Sequence, residues 1–459
     1  MAFCNPQRPQ AAFRIAAFLV GFFGSFAVFT VPAGAQAISL LSDTETEKTL
    51  RSYEDPILKV AGLDPQAVKM YIVNDTSINA FVAEGQNIFV NAGLFIHLKT
   101  PNELTGVLAH ETGHMAGGHL ARGSDAMAKA TVPMLLSMVV GVAAMIAGAG
   151  QAGMAIMEGG QQIAQAQFNQ FSRAQEATAD QMGQKFLRET HQSGEGMVHI
   201  FERMADEQAR ASAHPDRYAS DHPADRDRVV ALQNVADSSP YANVKDSPEA
   251  QHEFDMLKAK VIGFMLPVRD VLALYPVSNQ SKPARYARAM AYMRQPDLKG
   301  ALAQINSLVK EEPNNPYFYE VLGQTYVQMS QPEKGLAPYQ KSVDILPDAP
   351  ELRVALAAAQ LATDRHELAR SALDNLKIAL QQDNDNTFAW YETAQAYSLL
   401  DNQPMADLAT AERYYSASDA RCLVFAQRAE KALDKGSPDW QRANDIVAIV
   451  TPLIQHQRR

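Results

Sequence analysis

His110 and His114 flank Glu111, Thr112 and Gly113. Two histidines four residues apart stand on one face of a helix, one turn from each other. Imidazoles so placed can take two corners of a tetrahedral zinc site. Glu111 then projects beside the metal, where a carboxylate can draw a proton from water. The five-residue pattern also arises by chance, so a third ligand and a helical setting are needed. Glu176 and Asp180 are again four apart. They read as a ligand carboxylate followed one turn later by an acid that orients a ligand histidine through its second ring nitrogen; a solvated acidic face is the plainer reading of that pair alone. Together His110, His114 and Glu176 form a candidate ligand set for one Zn2+ per chain. Glu111 is the general base that passes its proton to the leaving amine, and Asp180 is the support.

The elements around these residues must hold them in place. Thr100-Pro101-Asn102-Glu103 predicts a helix start, with Thr100 as cap, Pro101 in the first turn and Glu103 completing a capping box. Leu104, Val107, Leu108 and Met115 give that helix an apolar face, and Gly117-Gly118 ends it. The metzincin pattern needs a third histidine at the position of Leu120. His119 comes one place early, about 100° around a helix, and reads as a surface or helix-end residue. Ahead of the helix, residues 39–60 carry acids at Asp43, Glu45 and Glu47 and predict a surface helix. Lys69–Val73, Asn79–Ala83 and Asn87–Val90 read as a small β-meander, with an outer strand suited to pairing with substrate backbone.

Residues 130–157 contain no charged side chain and five methionines. A single membrane span there would put His110 and Glu176 on opposite sides of a bilayer, and a two-span hairpin needs about 40 apolar residues. Two amphipathic or buried helices around a Gly-rich turn fit better. They could pack as core, or form a flap or a client- or membrane-facing surface. Gln161–Leu187 reads as one helix carrying Glu176 and Asp180. His222, in Asp221-His222-Pro223, admits three roles: substrate or oxyanion contact, occupant of the open zinc position, or ordinary cap. Arg226 and Arg228 follow it.

The chain has 459 residues, 47% apolar and 20% charged, with formal charge −10. That size calls for two or three domains, and the acidity argues against nucleic acid as a partner. Arg8 and Arg14, an apolar run from Ile15 to Val31 and Ala33-Gly34-Ala35 read as a signal peptide cut after Ala35. Cys422 is then the only cysteine, so no intrachain disulfide can form. Toward the C-terminus, Tyr319, Leu322, Gly323, Tyr326, Tyr339 and Pro347 fit a 34-residue tetratricopeptide repeat. Ala289, Tyr292, Ala301 and Pro313 fit one period earlier. Leu356, Ala357 and Ala369 fit less well one period later. Trp390, Ala394, Tyr397 and Ala406 restore the pattern after a small insertion. The expected fold is mainly α: a zincin-like α+β metalloprotease domain with a small β-meander, then an α-solenoid of repeats. The expected boundaries are a signal peptide over 1–35, the protease over 36–236, a linker and connecting helix over 237–280, and repeats over 281–459.

His110-Glu111-Thr112-Gly113-His114, Glu176 with Asp180, and His222-Pro223 followed by Arg228 resemble the motifs of the gluzincin metalloproteases that include the CAAX prenyl proteases. With the signal peptide and repeats, the architecture is similar to that of periplasmic members of the family. The resemblance implies a zinc endopeptidase in the periplasm. It would degrade misfolded or stalled outer-membrane proteins, assist β-barrel assembly beside the barrel-assembly machinery, and have His222 and Arg228 at its active site. Peripheral association with the outer membrane is compatible with this. A periplasmic chaperone or scaffold with a latent metal site is the alternative, opposed by an intact Glu111.

Overall fold

A computed structural model of the chain describes residues 40–41, 43–83, 86–119, 122, 135–140, 150–210, 226–295 and 297–457. The expected signal peptide and His222 lie outside the described residues. The chain forms two compact units, one running from Glu47 to Asp255 and the other combining the stretch up to Thr46 with that from Met256 on.

In the first unit, α1 (Thr44–Val60) leads to strands β1 (Lys69–Val73), β2 (Ala80–Ala83) and β3 (Asn87–Asn91). The three β-rich runs are strands, but they do not form a meander. β3 lies between the other two, parallel to β1 and antiparallel to β2. The apolar run explains the order. Ile88, Phe89 and Val90 are all buried, and a strand apolar on both faces belongs inside a sheet. Tyr71 and Phe81 stack on the two sides of Phe89, with ring centroids 5.1 and 5.0 Å away. α1 also departs from the surface helix expected: Leu50, Glu54, Ile57 and Leu58 are fully buried.

After the short α2 (Leu94–His97), α3 (Pro101–Ala116) carries the two-histidine pattern. Thr100 caps it, its hydroxyl accepting from the Glu103 amide at 3.2 Å. The Glu103 carboxylate accepts from the Lys99 amide rather than from that of Thr100, and also receives a fork of two hydrogen bonds from Arg203 at 2.9 and 2.5 Å. Leu104, Val107, Leu108 and Ala109 are wholly buried. α4 (Gly150–Glu189) is a 40-residue helix that packs on α3, followed by α5 (Glu195–Arg210) and α6 (Arg226–Asp237). Of the apolar stretch 130–157, Leu135, Leu136, Met138, Val139, Val140 and Met154 are exposed. Core packing does not hold for these residues, which end in solvent. Among the described residues, no helix is long and apolar enough to cross a membrane.

The second unit is built of helix pairs. α7 (Pro248–Met265) continues into it, and α8 (Val268–Leu274) follows. The pairs are α9 (Lys282–Arg294) with α10 (Leu298–Glu311), α11 (Pro316–Gln328) with α12 (Pro332–Ile345), α13 (Pro350–Ala362) with α14 (His366–Gln382), α15 (Thr387–Leu399) with α16 (Gln403–Ser416), and α17 (Cys422–Ala432) with α18 (Pro438–Gln457). The repeat signature works by close approach: a methyl on Gly323 would meet the buried Tyr339 ring at 2.7 Å. Ser330, Asp364 and Asp401 adopt left-handed φ values of 57°, 55° and 57°. Each ends the first helix of a pair. The insertion before Trp390 is absorbed in α14, which has 17 residues where α10 and α12 have 14.

A buried ionic cluster joins the start of the chain to these repeats. Lys260 Nζ lies 2.5 Å from Asp43 Oδ1 and 3.0 Å from Glu45 Oε2. Tyr286 donates to Glu45 at 2.6 Å, and Thr44 donates to Glu351 at 2.8 Å. Two acids expected on a solvated helix face are therefore internal, and share one lysine.

Candidate metal centre

Two helices supply the donors. α3 presents His110 and His114, and α4 presents Glu176 and Asp180. They can converge because a glycine stands where the helices cross. A methyl on Gly113 would lie 2.6 Å from the Ala179 carbonyl oxygen and 2.9 Å from its Cα. The middle of the histidine motif is thus pressed against the turn between Glu176 and Asp180.

His110 Nε2 lies 3.1 Å from His114 Nε2 and 3.4 Å from Glu176 Oε2, and His114 Nε2 lies 3.3 Å from Glu176 Oε1. All three residues are buried, and they are the group among the described residues whose atoms could hold a metal ion. A tetrahedral zinc ion with bonds of about 2.0–2.1 Å needs its donors about 3.3 Å apart. The separations fit, and so does the donor type: two imidazole nitrogens and one carboxylate.

The support for these donors is also buried. Asp180 Oδ1 lies 3.0 Å from His110 Nδ1, leaving Nε2 of that ring for the centre. Arg228, near the start of α6, reaches both carboxylates. It donates to Asp180 at 2.8 and 2.9 Å and pairs with Glu176 at 3.0 Å. Its guanidinium lies over the Phe201 ring of α5, which meets His110 edge-on. Arg228 is therefore a positioning group for two acids. Burial pulls the His110 imidazole pKa down, but hydrogen bonds and charge from Asp180 and Glu176 outweigh it and raise it to about 9. Burial pushes the Asp180 carboxyl up, and His110 and Arg228 more than reverse this, holding it below its usual value.

Glu111 is buried on the same helix. Two further residues complete the surroundings: Glu54, which did not stand out in the sequence, and His119, which reads there as a surface or helix-end residue. Glu54 of α1 accepts a hydrogen bond from the Thr112 hydroxyl. Burial first, then Asp55 and Glu111, keep its carboxyl well above the usual range despite that bond. His119 is the second. It is buried, with Nδ1 3.0 Å from His114 Nδ1, and is not a surface histidine. Its place after a Gly pair was visible, but the turn that folds it back was not.

The profile of peptidase family M48 matches residues 44–236. The β-barrel assembly-enhancing protease of Escherichia coli (strain K12) is 25% identical over 351 residues, which cover 75% of this chain and 70% of that protein. Metalloprotease LoiP of the same strain is 30% identical over 194 residues, 42% of this chain and 71% of that protein. The mitochondrial metalloendopeptidase OMA1 of Schizosaccharomyces pombe is 27% identical over 199 residues, 43% and 54% of the two chains.

Proposed function

The chain belongs to peptidase family M48 and is a metalloendopeptidase, and from that premise we propose a zinc-dependent enzyme of the periplasm that removes misfolded or stalled outer-membrane proteins. Assistance to β-barrel assembly is part of the same reading, supported by the similarity to a protease named for that role. The observation that carries the reading is the convergence of His110, His114 and Glu176 on one point.

In this mechanism His110, His114 and Glu176 hold the zinc ion, which supplies Lewis acidity toward water and the scissile carbonyl when bound. Glu111 accepts the proton of the attacking water and delivers it to the departing amine. Asp180 keeps His110 in the tautomer that offers Nε2. Arg228 fixes the carboxylates of Glu176 and Asp180 at once, which restrains their rotation. His222, in the His-Pro motif that resembles the family's, is given a role at the active site by that resemblance, as a contact to substrate or as the occupant of the open metal position. β2 forms one side of the β1–β3–β2 ladder, and an extended substrate can add a strand there. The protease is taken as residues 36–236, the linker and connecting helix as 237–280 and the repeats as 281–459, after a signal peptide over 1–35. The repeats recruit clients or the assembly machinery, since stacked helix pairs of this kind present extended binding surfaces.

The test uses the purified full chain and an unfolded protein such as casein. Cleavage is expected to stop with a chelator, return with zinc, and be lost in Glu111→Gln while zinc content stays near one per chain. Cleavage that survives both the chelator and the substitution overturns the assignment. A client-assembly assay in which Glu111→Gln equals the unaltered chain would favour a scaffold with an idle centre.

A further inference from the structure

We propose that His119 is a positioning residue for the metal centre, holding His114 by its second ring nitrogen as Asp180 holds His110. The inference rests on the zinc reading above.

Four observations meet at this residue. His119 Nδ1 lies 3.0 Å from His114 Nδ1, and the rings cross at 82° with centroids 4.9 Å apart. The turn before it is shaped for the ring. A methyl on Gly117 would come within 2.5 Å of His119 Nε2 and 2.9 Å of Cδ2, so only glycine leaves room for the imidazole to fold back. Gly118 follows with φ +63°, the left-handed conformation that reverses the chain there. The returning segment is tied down twice. Gln175, the neighbour of Glu176, donates to the His119 carbonyl at 3.2 Å, and Arg122 donates to the Gly117 carbonyl.

Proton placement follows from this geometry. His114 turns Nε2 toward Glu176 and His110. A neutral ring that offers the Nε2 lone pair to a metal carries its proton on Nδ1. That proton can be shared across 3.0 Å only if His119 Nδ1 is a lone pair, which puts the His119 proton on Nε2. The two ligand histidines are therefore held differently. His110 has a charged acceptor, which raises its basicity. His114 has a neutral one, which fixes its orientation without adding a further negative charge beside the centre. The one-residue offset that keeps His119 from serving as a third ligand is what sets it behind the second.

The experiment measures zinc affinity of the full chain by competition with a chromogenic chelator, together with the visible spectrum of the cobalt(II) form. His119→Ala is expected to weaken zinc binding about 10- to 100-fold, the usual scale for loss of an outer hydrogen-bond partner, and to alter the cobalt bands. His119→Gln, whose amide oxygen can accept the same bond, is expected to recover most of the affinity. Gly117→Ala is expected to reproduce the His119→Ala loss. Nitrogen-15 NMR of the zinc-loaded unaltered chain decides the question even where a variant folds poorly: His114 should carry its proton on Nδ1 and His119 on Nε2. Zinc binding indifferent to His119→Ala, or a His119 proton found on Nδ1, overturns this inference alone. An unaltered chain that binds no zinc overturns it along with the proposed function.

Discussion

Gly113→Ala is the most discriminating change in the centre, because it alters packing without removing a donor. The added methyl would lie 2.6 Å from the Ala179 carbonyl oxygen, and ordinary contact begins near 3.4 Å, so α3 and α4 must part by about 0.8 Å. Both obstructing atoms are backbone and cannot swing aside. Two donors ride on one helix and the third on the other. Metal–ligand distances tolerate only about ±0.2 Å, so the displacement exceeds what the centre can absorb. Zinc affinity should fall about 100-fold. Stability of the metal-free protein should change less, by about 0–2 kcal/mol. Overpacking costs about 1–3 kcal/mol, while alanine gains about 1 kcal/mol over glycine inside a helix. Gly183→Ala at the same crossing provides the graded control. Its methyl would lie 3.2 Å from the Ala109 backbone, so a shift of about 0.2 Å suffices and the loss should be within a few-fold. Chelator competition gives the affinities, and thermal melts of the metal-free forms give the stabilities. Equal affinity in Gly113→Ala and the unaltered chain would refute the idea that this crossing sets the ligand spacing.

Three further outcomes are expected. The metal-free His110 pKa lies at about 9, so metal must displace a proton at neutral pH. Apparent zinc affinity should rise about tenfold per pH unit between pH 7 and 9 and then level, with about one proton released per zinc in calorimetry at pH 7.5; a flat profile counts against the coupling. The sign reverses for metal-free stability. A raised folded pKa contributes fully below about 6.5 and is lost as pH rises through 9, removing up to about 3 kcal/mol. Lys260→Met leaves Asp43 and Glu45 buried without their cation, which should cost the repeat unit about 3–5 kcal/mol. Hydrogen exchange should quicken in α9, where Tyr286 meets Glu45; unchanged protection would show that the cluster contributes little.

Much of the centre was legible because it is local. His110 and His114 share one helix, as do Glu176 and Asp180, and the Thr100 cap announced the first of these helices. A helical period links residues within a turn, and these pairs need no more. What was not legible depends on contacts between distant segments. The spacing of Lys69–Val73, Ala80–Ala83 and Asn87–Asn91 does not order the strands, and only the unbroken apolar run Ile88-Phe89-Val90 points to the last as the central one. Gly113 reads as an ordinary motif position until Ala179 is found against it. A helical count from His114 misplaces His119, because Gly117 and Gly118 have already ended the helix. Asp43 and Glu45 read as surface acids because their lysine lies more than two hundred residues away.

That separation has a consequence for how the chain folds. Lys260 meets Asp43 across 217 residues, and Tyr286 meets Glu45 across 241. In chain order the compact unit Glu47–Asp255 is an insertion within the unit that holds the repeats. Closing a flexible loop of that length costs about 5 kcal/mol beyond a constant, more than one salt bridge can offset. A folded peptidase unit removes most of the cost beforehand, since Tyr53 donates to the Ala250 carbonyl at 3.3 Å and brings the two ends of the insertion together. Prior folding of the unit Glu47–Asp255 lowers the entropic cost of bringing Asp43 and Glu45 to Lys260 and Tyr286. A fragment beginning at Met256 would keep every repeat helix and lose the acids that neutralise its buried lysine.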